Sequence, residues 1–115
     1  MPIEHISAVT FAVHDMARSV GFYQKLGFTL LEDGSAEFTS LRAGNAFVNL
    51  ATAPASRHGW SGRVIFRVDD ADAHYRILVA AGLKSDSPQD APWGERFFHI
   101  ADPDEHELSF AQRLT

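Results

Sequence analysis

Six histidines, His5, His14, His58, His74, His99 and His106, are the side chains in this sequence best suited to carry chemistry. An imidazole changes charge near neutral pH and, when neutral, binds divalent metals through a ring nitrogen. No two of the six stand four residues apart, the spacing at which one helix face offers a pair of metal ligands. His99 is the one histidine expected at a mid-strand position that alternation can turn toward a cavity. A lone strand histidine serves packing or a hydrogen bond as well as it serves a ligand. His14 is expected at a strand-to-helix corner, His58 in a linker, His106 in a hairpin turn and His74 on the exposed side of a helix, all solvated. There is no cysteine, which removes thiol nucleophiles, thiolate metal sites and disulfides. Neither a Gly-x-Ser-x-Gly elbow nor a glycine-rich phosphate loop is present. Asp33, Asp102 and Asp104 fall in turns, where a carboxylate satisfies backbone donors.

The elements that must position these groups fit one domain. The chain has 115 residues, 45% of them hydrophobic and 22% charged. A domain of that size buries roughly 65% of the surface its unfolded chain exposes, enough for a core. Ten basic against fifteen acidic residues give a net charge of −5, which argues against a nucleic-acid partner. No apolar run approaches the ~20 residues of a membrane span. The opening MPIEHISAV lacks a basic n-region and a long apolar stretch, so no secretory leader is expected. Together with the missing cysteines this points to the cytoplasm.

The sequence repeats itself. Phe11-Ala12-Val13-His14-Asp15 is matched 55 positions on by Phe66-Arg67-Val68-Asp69-Asp70, and the same offset carries Gly27 onto Gly82. Phe38 to Leu41 resembles Phe97 to Ile100 at an offset of 59, and Ala46 to Leu50 resembles His106 to Phe110 at 60. The drift places five extra residues in the second half, around Ser85 to Pro92. In the first half, alternation from Ile6 to Val13 predicts a strand. Asp15 then caps a helix whose apolar face holds Phe22, Tyr23 and Leu26, and Gly27 stops it. Strands are predicted at Phe28 to Leu31, Ala36 to Leu41 and Ala46 to Ala51, with turns at Asp33-Gly34 and Gly44-Asn45. The second half predicts a strand from Arg63 to Val68, a helix from Asp70 to about Ala81 stopped by Gly82, and strands around Leu83, Arg96 to Ile100 and Glu107 to Ala111. The fold class is α+β, a βαβββ unit used twice. Module one spans about 4–51, a linker 52–61 and module two about 62–112.

Ala8 to Asp15, followed by Phe22-Tyr23-Gln24-Lys25-Leu26-Gly27-Phe28, resembles the opening signature of the vicinal oxygen chelate superfamily. That superfamily includes glyoxalase I, extradiol dioxygenases and the bleomycin-resistance proteins. Pro92 to Phe98, followed by Asp102-Pro103-Asp104, is similar to the closing signature of its bleomycin-resistance-like members. The resemblance implies paired βαβββ modules whose curved sheets enclose a cavity, often completed by a second subunit. It also implies a divalent metal held by the first and last strands of the modules. The places that hold that metal's ligands in the superfamily carry Ala8, Asn49, Arg63 and Ser109 here. Alanine has no donor atom, arginine is a permanent cation, and Asn and Ser are poor ligands without carboxylates beside them. Neither metal nor other cofactor is therefore expected.

Alternation from those places gives the expected cavity lining. It comprises Ala8, Thr10 and Ala12; Phe47, Asn49 and Ala51; Arg63, Ile65 and Arg67; and Glu107, Ser109 and Ala111. Val9, Phe11, Val13, Val48, Leu50, Val64, Phe66, Val68, Leu108 and Phe110 are then core. His5 shares the first strand in the phase opposite to Ala8. Trp60 and Trp93 flank strand ends and can stack a flat ligand at the mouth, or simply pack. Arg63 and Arg67 hold an anion, or pair with Glu107 and with an acid from a second subunit. The candidate ligand-binding set is thus Phe47, Asn49, Trp60, Arg63, Arg67, Trp93, His99, Glu107 and Ser109. The reading is a homodimer that binds or sequesters a small organic molecule without metal. Its rivals are an enzyme of the same superfamily (lyase, isomerase or dioxygenase) with displaced ligands such as His99 and Glu107, and a non-catalytic regulatory module.

Overall fold

A computed structural model describes residues 6–31, 34–53 and 63–114. Two compact units, Met1–Gly59 and Trp60–Thr115, divide the chain. The first contains β1 (Ala8–Val13), α1 (Met16–Leu26), β2 (Thr29–Leu30), β3 (Phe38–Ala43) and β4 (Ala46–Thr52). The second contains β5 (Arg63–Arg67), α2 (Ala71–Ala80), β6 (Gln89–Ala91), β7 (Glu95–Ala101) and β8 (Glu107–Arg113). Each unit is a four-stranded mixed sheet, ordered β1-β4-β3-β2 in the first and β5-β8-β7-β6 in the second. The pairs β1–β4 and β5–β8 are parallel and the others antiparallel.

Both helices begin where an aspartate accepts the orphan amide of the first turn: Asp15 Oδ1 from Arg18 N–H at 3.1 Å, Asp70 Oδ1 from Ala73 N–H at 3.0 Å. Gly27 ends α1 at φ 114°, and the amides of Gly27 and Phe28 return to the Gln24 and Tyr23 carbonyls. The apolar stripe Met16, Tyr23 and Leu26 then packs on Phe11, Val13, Leu41, Val48 and Leu50 of the first sheet. In the second unit Leu78 and Ala71 of α2 are buried with Phe98, Ile100, Leu108 and Phe110. Arg96 on β7 ties α2 down, bonding both carboxylate oxygens of Asp72 at 2.8 and 3.0 Å and reaching Asp90 at 2.9 Å. This bidentate guanidinium holds the Asp72 carboxyl below the usual carboxylate range. Among the described residues no helix is long and apolar enough to cross a membrane.

Four sequence expectations are corrected. The short strand near Leu83 is instead β6 at Gln89–Ala91, because the Leu83 amide is spent on the helix end, donating to Leu78 O at 3.1 Å. Residues 85–86 follow β7 through the single carbonyl of His99, without a ladder. His74 does not face solvent: three residues after Ala71 and four before Leu78, it shares their stripe, and its ring stacks on Phe110 at 4.9 Å. His106 is not solvated but 6% exposed, drawn in by its amide's bond to Asp102 Oδ1 at 2.8 Å. His14 is half-buried at its corner. His5, His58 and the Asp33 half of the first predicted turn lie outside the described residues.

α1 differs from its repeat in leaving a groove of about 620 Å³ against β2 and β3, bordered by Ala17, Val20, Gly21 and Leu30. The positions 55 residues on from Ala17 and Val20 carry Asp72 and Tyr75, whose side chains are held by Arg96 and by Phe98. A Cβ built at Gly21 meets nothing within 4 Å. Gly21→Ala is therefore expected to raise stability by about 1 kcal/mol, the helix-propensity difference. The midpoint of chemical denaturation measures it, and a lower midpoint would contradict the open space.

Candidate functional site

Each sheet covers one face with its helix and leaves the other to the alternate residues. On the second sheet the face away from α2 is read in rows across β5, β8 and β7. Ile65, Ser109 and His99 form one row, Arg67, Ala111 and Phe97 the next, and Arg63, Glu107 and Ala101 the third. Aromatic rings run along β7 on this face. Trp93, in the β6–β7 turn and 69% exposed, stacks on Phe97 with centroids 5.9 Å apart and planes at 23°. Its indole N–H donates to Glu95 Oε1 at 2.9 Å, which fixes the ring's azimuth. Phe97 meets His99 at 5.1 Å. The ladder ends where His99 Nδ1 shares a 2.6 Å hydrogen bond with Ser109 Oγ. Ser109 is 3% exposed, so this bond is sheltered, and it leaves Nε2 as the ring's remaining polar atom. A groove of about 590 Å³ opens beside it, lined among others by Lys84, Asp86, His99, Glu105 and Glu107. That volume suits a small molecule.

The first sheet repeats the arrangement with different chemistry. Ser40 Oγ donates to Asn49 Oδ1 at 2.6 Å, and Asn49 Nδ2 reaches Thr10 Oγ1 at 3.5 Å. Ser40 stands opposite Asn49 on the neighbouring strand just as His99 stands opposite Ser109. Beside this row the Arg42 guanidinium lies 5.3 Å over the Phe47 ring.

Of the residues singled out from sequence, Phe47 and Asn49 thus share the open face of the first sheet. Arg67, His99, Glu107 and Ser109 share that of the second, with Trp93 at its edge. Arg63 begins β5 opposite Glu107, and Trp60 lies outside the described residues. Pairing of Arg67 with Glu107 is corrected: Arg67 stands opposite Ala111, two rows away, and has no ion pair among the described residues. Ser40, Arg42 and Phe97 were missed. The signal for Phe97 was present, since it shares the phase of His99.

The paired βαβββ architecture is that of a broad structural class. The chain covers 97% of itself on lactoylglutathione lyase from Agrobacterium tumefaciens and 96% of that chain, with a TM-score of 0.82 at 17% identity. A bleomycin-binding protein solved with bleomycin superposes at TM-score 0.79 and 21% identity over 96% of this chain and 99% of the other. TnmS3, an antibiotic-binding protein from Streptomyces sp. CB03234, gives 0.79 at 28% identity over 98% of each chain. Residues 3–110 match the Glyoxalase/Bleomycin resistance protein/Dioxygenase superfamily, and the chain belongs to it. Its sequence is 31% identical, over 89% of this chain and 92% of the other, to the bleomycin resistance proteins of Geobacillus stearothermophilus and Staphylococcus aureus, in the bleomycin-resistance-like branch.

The donor set does not fit the divalent metal common in that superfamily. Of the four ligand places, Ala8 offers no donor atom, Asn49 is engaged by Ser40 and Ser109 by His99, and Arg63 brings a cation. Among the described residues no three His, Cys, Asp or Glu side chains cluster around a common point.

Proposed function

We propose that this protein binds and sequesters a small organic molecule, without metal, on the open face of its second sheet. The Trp93–Phe97–His99 ladder supports this most directly, because stacked rings standing clear of a sheet offer a flat ligand a matching surface. The chemistry available there is binding rather than turnover. The sheltered Ser109 hydroxyl already holds the imidazole in one orientation, so His99 serves as an oriented hydrogen-bonding group at the end of the stack. The names of relatives point the same way: bleomycin resistance, bleomycin binding and antibiotic binding. The protein acts as a homodimer in the cytoplasm on this reading, the second copy being what the resemblance implies and the absence of cysteine suiting a reducing compartment.

Calorimetry with the neutral probe naphthalene-2-carboxamide tests the reading. Phe97→Ala is expected to weaken binding about tenfold, the worth of a stacking partner. Ile77→Ala, on the exposed side of α2, leaves it unchanged. Elemental analysis after dialysis against Zn²⁺, Mn²⁺, Fe²⁺ and Ni²⁺ is expected to give less than about a tenth of an ion per chain. Stoichiometric, chelator-sensitive metal, or binding indifferent to Phe97, would overturn the proposal.

A further inference from the structure

The charge of the ligand follows from the arginine beside the ladder. We infer that the site prefers a planar anion, an aromatic carboxylate or phenolate, with its ring on Phe97 and Trp93 and its charged oxygen on Arg67; this rests on the binding reading above. Arg67, Ala111 and Phe97 occupy one row on three adjacent strands. Strands lie about 4.8 Å apart, so the Arg67 and Phe97 stems stand roughly 10 Å apart across Ala111, whose own side chain is buried. One aromatic ring bearing a carboxylate bridges that distance.

Arg67 is exposed and has no ion pair among the described residues. That contrasts with Arg96 in the same unit, which is doubly held by Asp72 and bonded to Asp90 on the opposite face. For Arg96 the chain itself supplies the carboxylates. The acids on the open face are committed elsewhere: Glu95 accepts the Trp93 indole, and Glu107 stands opposite Arg63 and has interactions of its own. Among the described residues no carboxylate pairs with Arg67, and the bound anion supplies its counter-charge. A planar guanidinium meets a carboxylate with two parallel N–H···O bonds, so such an anion is also the shape that fits best. His99, in the adjacent row with Nδ1 tied to Ser109, adds a hydrogen bond through Nε2 to the same ligand.

Three probes of one shape separate charge from stacking: naphthalene-2-carboxylate, naphthalene-2-carboxamide and 2-naphthylmethylammonium, titrated by calorimetry into wild type, Arg67→Gln, Arg67→Lys and Phe97→Ala. The carboxylate is expected to bind wild type about tenfold more tightly than the amide, and the ammonium more weakly than either. Arg67→Gln removes the carboxylate's advantage over the amide, while Arg67→Lys keeps part of it. Phe97→Ala weakens all three alike. Equal binding of carboxylate and amide, preference for the ammonium, or an anion preference that survives Arg67→Gln overturns the anion assignment while leaving the ladder intact. Failure of all three probes to bind wild type overturns the binding reading itself, and the anion assignment with it.

Discussion

Phe110→Ala is expected to lower the unfolding free energy by about 3–5 kcal/mol, the usual cost of emptying a buried phenylalanine site. Phe110 lies on β8, the strand paired on both sides, and its ring touches three others: His74 at 4.9 Å, Phe98 at 5.3 Å and Phe66 at 5.5 Å. These come from α2, β7 and β5, so the cavity left by truncation sits where helix and sheet meet. Rigid strands on both sides limit how far the walls collapse. Phe110→Leu retains most of the volume and should cost less than half as much. Urea unfolding followed by circular dichroism measures both. A loss below about 1 kcal/mol for the alanine variant would show that this cluster is not the centre of the second unit's core.

The second large effect is expected at Asp102. Its carboxylate, 4% exposed, accepts the amides of Asp104 at 2.9 Å and His106 at 2.8 Å, while its own amide donates to the His106 carbonyl at 3.0 Å. The turn it closes forces Glu105 to φ 70°, a left-handed conformation that a side chain with Cβ disfavours. Asp102→Ala leaves two amides without their acceptor, and a loss of about 1–3 kcal/mol follows. Asp102→Asn keeps an acceptor oxygen and should recover most of it. Glu105→Gly, which removes the steric cost at positive φ, should gain up to about 1 kcal/mol. If the asparagine variant fell as far as the alanine one, the hydrogen-bond account would be wrong.

What made the fold legible was its duplication. Asp15 and Asp70 are real caps, Gly27 caps the end of α1 and Gly82 takes φ 89° one residue past the Ala81 cap of α2, and the alternation of Phe11 and Val13 against Ala8 and Ala12 is the division between the helix-covered face and the other. The misreadings share a cause, which is that backbone groups were already spent. Leu83 reads as a strand residue until its amide is seen to finish α2, and His106 reads as a solvated turn residue until Asp102 claims its amide. At the site, period two found His99 and Ser109 as face partners but could not show that they bond to each other. The same alternation puts Phe97 on the His99 face and Phe98 in the core, a signal the sequence does contain. The solitude of Arg67 is a property of cross-strand register, which no single strand's sequence contains.

The parallel pairing of β1 with β4 and of β5 with β8 also governs the order of events during folding. Ala8 meets Phe47, and Arg63 meets Glu107, 39 and 44 positions further along. Closing loops of that length costs roughly 2–3 kcal/mol more entropy than closing a two-residue turn. By contrast the β3–β4 hairpin closes through Gly44-Asn45 alone, with Gly44 at φ 63°. In each half the antiparallel meander is therefore the early, local event, and the first strand arrives last to complete the sheet. The strand that carries Arg67 is thus the latecomer of its own half, assembled onto a surface whose aromatic rings are already in place.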